Sequence, residues 1–262
     1  MTDDPSAPSR TAGLSPGTVV LGIEMSNPTA APGTVPGAGD EEMPHAVALW
    51  RIGNDGGAGL IGSAPLPRPA RGSDAVMALV ESLCADRGVE PAAIGRVLVS
   101  IGPGGYTALR ISTTTAKVLA MTLGCQLVGV PTARNAAEAI ADTDLPALIA
   151  LASKKDRTHA TIVGHDRVHG QLGVIDASAL EKMDIRSIVS DRHLPESMRQ
   201  VAAGLGIEIL PIVLDARSLM DASRGIESVR PEALVPLYAR EPDAVTQWRA
   251  RAAGPPAGPN NQ

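Results

Sequence analysis

The 262-residue sequence predicts a two-lobed α/β protein with mixed sheets, and three observations carry that expectation. Short β-branched apolar runs near the start are joined by turn residues, as in a meander. From Ser73 onward, helical and strand-like patterns alternate. The same alternation then returns in the second half of the chain. A chain of this length buries a sizeable core, and 44% hydrophobic with 19% charged residues is a globular composition.

Thr18-Val-Val-Leu-Gly-Ile23 reads as the first strand. Residues 27–45, NPTAAPGTVPGAGDEEMPH, are rich in Pro and Gly and read as a flexible loop. Ala46 to Trp50 is a second strand, and the Asn54-Asp55-Gly56 turn leads back through Gly59-Leu-Ile-Gly62. Ser73 caps a helix, Asp74 opposes the positive end of its dipole, and Gly88 closes it. Its apolar residues Val76, Met77, Leu79, Val80, Leu83 and Cys84 exceed one narrow stripe. Either the helix is deeply buried, or it packs a second surface on a neighbouring helix or a partner.

Arg96 to Ile101 is a core strand that runs through Gly102-Pro-Gly-Gly105 into a helix from Thr107 to Leu123, closed by Gly124. Leu127 to Val130 follows as a strand and Thr132 to Ala141 as a helix. Residues 147–152, 160–163, 172–175 and 207–212 read as strands, with helices near 177–183 and 195–203. The ends differ in character. Residues 1–16 read as a disordered leader and 249–262, ending RAAGPPAGPNNQ, as a polar tail.

No apolar run approaches the roughly 20 residues that span a bilayer. The opening MTDDPSAPSRTAGLSPG lacks the apolar stretch of a signal peptide, so the expected location is cytoplasmic. Cys84 and Cys125 form no CxxC pair and read as buried fillers. A net charge of −5 provides no broad electrostatic hold on nucleic acid. Phe is absent, and Trp50, Tyr106, Tyr238 and Trp248 are the only aromatics, little material for a base-stacking platform.

The Gly102-Pro103-Gly104-Gly105 junction ends a strand and opens a helix, which suits either a tight structural turn or a phosphate cradle. It matches neither GxxxxGK[ST] nor GxGxxG. The helix beyond carries Ser112-Thr-Thr-Thr115, and each threonine costs a few tenths of a kcal/mol relative to alanine. Tertiary or quaternary contacts must offset that. His165-Asp-Arg-Val-His169 has zinc-like spacing, but Asp stands where HExxH has Glu, and flanking Gly164 and Gly170 place the pair around a hairpin turn.

The stretch RVLVSIGPGGYTALRISTTTAKVLAMTLGCQLVGVPTARNAAEAIA resembles the TsaB (YeaZ-like, Gcp-like or M22 glycoprotease-like) family of tRNA threonylcarbamoyladenosine biosynthesis proteins. That family reads approximately GPGSFTGLRIG, then an alanine-lysine pair, then LVGVSSL. Gly102, Pro103, Gly104, Thr107, Leu109-Arg110-Ile111, Ala116-Lys117 and Leu127-Val-Gly-Val130 fall in register, while Gly105-Tyr106 replaces Ser-Phe. Pro236-Leu-Tyr-Ala-Arg240, followed by Pro242-Asp-Ala244, is similar to the closing P-x-Y-x-R segment. There are departures as well. Glu24-Met-Ser-Asn27 stands in place of Asp-Thr-Ser/Thr, Ala70-Arg-Gly-Ser73 in place of Arg-Asn-His-Ser, and Ser153 at an expected Asp.

The resemblance implies an actin-like (ASKHA, ribonuclease-H-like) fold, with a first lobe at 17–131, a second at 132–230, and a segment at 231–248 returning to the first. It implies a subunit with no catalytic residue, cofactor or metal of its own. Such a subunit activates a TsaD-like transferase that modifies the adenosine at position 37 of tRNA, with a TsaE-like ATPase assisting and tRNA touched only indirectly. The same face of the first lobe would pair with the transferase or with a second copy. That face maps to Val76, Met77, Val80, Leu83, Leu109, Thr113, Thr114 and Lys117, with Gly102, Pro103, Gly104, Gly105, Thr107 and Arg110 as the structural motif. Two other expectations remain open: a metallopeptidase or actin-like ATPase with Glu24 as a metal ligand, and a diverged module for another actin-like partner.

Overall fold

The computed structural model describes residues 13–26, 45–66, 74–167, 169–191, 193–239 and 248. The leader up to residue 12, the Pro/Gly-rich loop at 27–44, the Ser73 cap, Arg240, the Pro242–Ala244 match and the tail from 249 lie outside the described residues.

The first half folds as β1 (Val19–Ile23), β2 (His45–Ile52), β3 (Ala58–Pro65), α1 (Asp74–Asp86), β4 (Ile94–Gly102), α2 (Tyr106–Leu123) and β5 (Gln126–Pro131). The short helix α3 (Thr132–Ala137) leads into β6 (Ala147–Lys154), β7 (Arg157–Val163), β8 (His169–Ile175), β9 (Ser187–Ser190), α4 (Glu196–Leu205) and β10 (Glu208–Pro211). A last helix, α5 (Leu219–Ala222), follows a 3-10 turn at Ala216–Ser218.

The two sheets share one plan. The first runs β3-β2-β1-β4-β5 and the second β8-β7-β6-β9-β10. In each, three antiparallel strands are followed by a fourth that pairs in parallel with the first and a fifth that pairs in parallel with the fourth. A parallel pair needs a crossover. In the first sheet α1 and α2 supply it, and in the second a 3-10 helix (Ala177–Lys182) and α4 do. This is the two-lobed actin-like arrangement expected from the sequence.

Both faces of the first sheet are covered, so its strands are continuously apolar instead of alternating with polar residues. Leu21, Ile23, Leu49, Val97 and Val99 face α1 and α2 and join Val76, Val80, Leu83, Ala116 and Ala120 in one core. Val20, Ala48, Trp50, Leu98 and Val128 face the other way, against Ala216, Leu219, Met220 and Ala222. Gly22 is required at this second face, because a Cβ there would stand 2.8 Å from the Trp50 ring. In the second sheet, Ile149, Leu151 and Val163 pack on α3, while Leu148, Ala150 and Ile188 pack on α4 and Leu180.

Several expectations need correcting. The strand β9 was not foreseen, because Ser187-Ile-Val-Ser190 offers only two apolar residues between serines, yet all four are buried beside β6. The helix expected to reach Ala141 ends at Ala137, and the one near 177–183 is a 3-10 helix. Arg167, on the β7–β8 turn, explains the first of these ends: its guanidinium donates to the carbonyls of Ala137 (3.0 Å) and Ile140 (2.8 Å). The return to the first lobe also begins before residue 231. Buried Asp215 accepts from the backbone N–H groups of His45 (3.2 Å) and Arg217 (2.7 Å), docking 215–222 onto the first sheet. Val229 then pairs with Leu127, and Leu234 enters the first core.

Leu219 is fully buried against the first sheet although the chain reaches it only after completing the second. Leu219→Ala is therefore expected to lower unfolding stability by about 2–5 kcal/mol, read by urea denaturation. A loss well below about 1 kcal/mol would mean that this crossover does not hold the first lobe together.

Candidate functional site

Three chain segments meet at the end of β4, and the glycines there are what lets them. Gly102 has φ +106°, and a Cβ on it would stand 2.5 Å from the Leu237 carbonyl oxygen. A Cβ on Gly104 would collide with the Ser26 carbonyl. Gly105 N–H donates to that same Ser26 oxygen (2.7 Å), and Leu237 N–H donates to Ile101 O (2.7 Å). The junction is thus a turn built for close backbone approach. Gly102 and Pro103 are buried, whereas Gly105, Thr107 and Arg110 face solvent.

Beneath the turn lies Glu24, just past β1 and only 5% exposed. Its Oε1 accepts from Ser26 N–H (2.7 Å) and Ser26 Oγ (2.6 Å), and its Oε2 accepts a short bond from Asn135 Nδ2 on α3. Ser100 adds a further hydrogen bond, and its Oγ lies 3.0 Å from Thr132 Oγ1. Burial pushes the Glu24 carboxyl above its ordinary range, and the bonds from Ser26, Asn135 and Ser100 pull it partly back. Asn135 Oδ1 is buried without a hydrogen-bond partner. Sequence singled out Glu24 but not Ser100, Thr132 or Asn135, because a polar residue at a strand end or in the first turns of a helix carries no signature of its partner. Chemically, the cluster is a carboxyl gripped by the chain's own donors across the joint between the two lobes. Among the described residues no group of three or more His, Cys, Asp or Glu is placed to hold a metal ion.

The surface expected to meet a partner divides in two. Val76, Val80, Leu83, Leu109 and Thr113 are buried within the chain. Their side chains are spent on the chain's own core, and a docking surface on the folded lobe draws on other residues. Thr113 Oγ1 donates to Leu109 O (2.6 Å), and Ser112 Oγ to the same carbonyl (3.2 Å), so half of the polar run is satisfied inside its own helix. Thr114 is exposed, and Met77 and Lys117 are half-buried. The outward face of α2 instead carries Val118, 54% exposed, and Met121, 62% exposed. Beside it α1 exposes Ala78, Ser82 and Ala85, small side chains that allow another helix to approach closely.

The remaining candidates settle differently. His165 sits in the β7–β8 turn and His169 opens β8, the hairpin that the flanking glycines imply. Burial pushes His159 and His169 below the ordinary imidazole range. Cys84 lies in the first core and Cys125 is half-buried, both as free thiols. Among the described residues no helix is long and apolar enough to cross a membrane. The sequence did not foretell that Tyr106 and Tyr238, the chain's two tyrosines, stand with ring centroids 5.0 Å apart. Arg110 lies over the Tyr106 ring, 5.4 Å from its centroid.

A family model described as TsaD, tRNA N6-adenosine threonylcarbamoyltransferase, matches residues 69–202, just over half of the chain. Among solved structures, the chain is similar to an uncharacterized protein with similarity to peptidase YEAZ from Pseudomonas aeruginosa. The TM-score is 0.58, with 17% identity, over 85% of this chain and 100% of that one. It is also similar to YeaZ from Pseudomonas aeruginosa, with a TM-score of 0.54 and 17% identity, over 84% of this chain and 99% of that one. No curated protein matches in sequence. At that identity the two structures speak for the fold, a two-lobed α/β architecture whose full length this chain reproduces.

Because the folded state holds the Glu24 proton more tightly than the unfolded chain, its stabilising contribution is fully present below the ordinary value of 4.5. It is lost as pH rises through the raised folded value. Glu24→Gln keeps an acceptor for Ser26 and offers an amide to Asn135. We expect the variant to melt higher than the parent at pH 8 and to lose the parent's decline between acidic and neutral pH. Parallel pH profiles in thermal unfolding would refute this account of the cluster.

Proposed function

The chain belongs to the family described as TsaD, tRNA N6-adenosine threonylcarbamoyltransferase, and from that premise we propose that it serves N6-threonylcarbamoyladenosine formation in tRNA as a non-catalytic activator of a TsaD-like transferase. The observation that carries this reading is the outward stripe of α2. Thr114, Val118 and Met121 recur at helical spacing on a helix whose opposite face, Leu109, Ala116 and Ala120, already fills the core. A helix that fills the core with one face and leaves Val118 and Met121 in water on the other asks for a second neighbour. Its junction with the small residues of α1 is a surface on which two helices of a sister protein pack, at about 25 cal/mol per Å² of apolar area buried.

Glu24 supports the non-catalytic half of the reading. Both oxygens are taken by donors of the chain itself, and the Ser26–Gly104 contact closes the space beneath the turn. The contact between the lobes therefore works as a joint. In this reading the chain stabilises the competent conformation of the transferase, a TsaE-like ATPase joins the larger complex, and a second copy occupies the same face when the transferase is absent.

The experiment pairs the chain with its own transferase and measures both complex formation and modified adenosine. The double variant Val118→Asp with Met121→Asp is expected to melt like the parent, to elute apart from the transferase and to lose at least about tenfold in modification, since unpaired charge buried in a helix contact costs several kcal/mol. Val80→Asp, placed inside the core, is expected to fail by unfolding. Undiminished modification with the folded double variant would remove the α2 stripe from the mechanism.

A further inference from the structure

We propose that Tyr106, Tyr238 and Arg110 form a stacking platform for an unpaired base of the RNA substrate, so that this chain touches tRNA itself. The proposal rests on the reading that the chain serves tRNA modification, and adds a contact that this reading does not require. The sequence argued against such a platform, because four aromatics scattered over the chain offer little for bases to stack on. Folding brings two of them together. Tyr106 opens α2 and Tyr238 arrives on the closing segment, with rings tilted by 34°.

A purely structural clasp explains the pair poorly. The closing segment is already fastened by Leu234, buried in the first core, and by the bond from Leu237 N–H to Ile101 O. Rings serving only to fasten it would be covered. Instead Tyr106 is 49% exposed and Tyr238 is 41% exposed. Two half-exposed tyrosines with ring centroids 5.0 Å apart, and a guanidinium over one of them, bring together what a base and its phosphate require: stacking, cation–π contact and charge. The charge on α2 agrees. The helix α2 bears Arg110 and Lys117 and not one carboxylate, although the whole chain has a net charge of −5. A paired base keeps both faces covered by its neighbours, so the platform selects loop nucleotides over duplex. It sits at the start of α2, and Met121 lies fifteen residues further on at about 1.5 Å of rise each, on the order of 20 Å away. One helix thus has room for a partner at one end and RNA at the other.

The test titrates a fluorescent RNA hairpin with an unpaired purine loop, against a blunt duplex of the same stem, using the full chain alone and assembled with its transferase. The hairpin is expected to bind and the duplex to compete poorly. Tyr238→Ala and Tyr238→Leu should each weaken hairpin binding about tenfold, while Tyr238→Phe, which keeps the ring, binds as the parent does. Tyr238→Leu retains an apolar plug on Tyr106, so its loss of binding with an unchanged melting temperature separates stacking from fastening. Arg110→Ala should reduce the slope of log affinity against log salt by about one. Parent-like binding by Tyr238→Leu, equal competition by the duplex, or displacement of the hairpin by free AMP at equal concentration would each overturn the platform. Transferase stimulation is scored separately. Full stimulation with an unchanged KM for tRNA in Tyr238→Leu defeats the platform alone, whereas no stimulation by the parent chain defeats the functional reading.

Discussion

The first sheet is apolar on both sides, and the chain must travel through the entire second sheet before it can cover the back of the first. Everything else in the molecule accommodates that constraint. The front is covered locally by α1 and α2, but the back waits for Ala216, Leu219, Met220 and Ala222. Removing several hundred square ångströms of apolar surface from water is worth several kcal/mol at about 25 cal/mol per Å², comparable with the whole stability of a domain. Neither lobe is therefore an independent unit, and the segment that crosses between them is pinned at its first residue by the buried Asp215 carboxylate.

The same constraint governs the chemistry at the joint. The central strand β1 delivers Glu24 at its C-terminal end, and α3, which packs on the second sheet, delivers Asn135 to meet it. A buried carboxyl is expensive unless its oxygens are bonded or protonated, and here bonding and a raised proton affinity act together. Its two oxygens accept from Ser26 and Asn135, and the Ser26 carbonyl packs against the glycine turn above them. The residue that looks most like a ligand in the sequence links β1 to α3 through these hydrogen bonds.

Much of the architecture was legible because its signals are local. The Asn54-Asp55-Gly56 turn, the Gly124 cap with φ +63°, and the long apolar strands all announce themselves within a few residues. What escaped notice depends on contacts between distant positions. The strand β9 is four residues with serines at both ends, and only its parallel neighbours β6 and β10 make it a strand. The truncated end of α3 reflects the guanidinium of Arg167, on a turn well downstream. The inward and outward residues of α1 and α2 were separable only in part, since both helices carry more apolar positions than one face holds. Val80 looked like a docking residue and is core, while Val118 and Met121 went unremarked and are exposed. Periodicity counts apolar positions. It does not say which of two faces meets the sheet.

That ambiguity has a physical origin in α2 itself. Its sequence has to satisfy a core, a backbone and a surface in one stretch of eighteen residues. Leu109, Ala116 and Ala120 serve the core. Ser112 and Thr113 turn their hydroxyls back onto the Leu109 carbonyl, which lets polar side chains sit against apolar neighbours without an unpaired group. The outer face then divides along its length: an aromatic ring and a guanidinium at the first turns, thioether and branched aliphatic side chains at the last. A helix that only closed its lobe would gain nothing from leaving Met121 and Val118 in water, and a helix that only docked one partner would not change character from end to end. The two proposed neighbours, one polar and planar and one apolar, would account for both features at once, and the turn of Gly102 to Gly105 fixes where the helix begins.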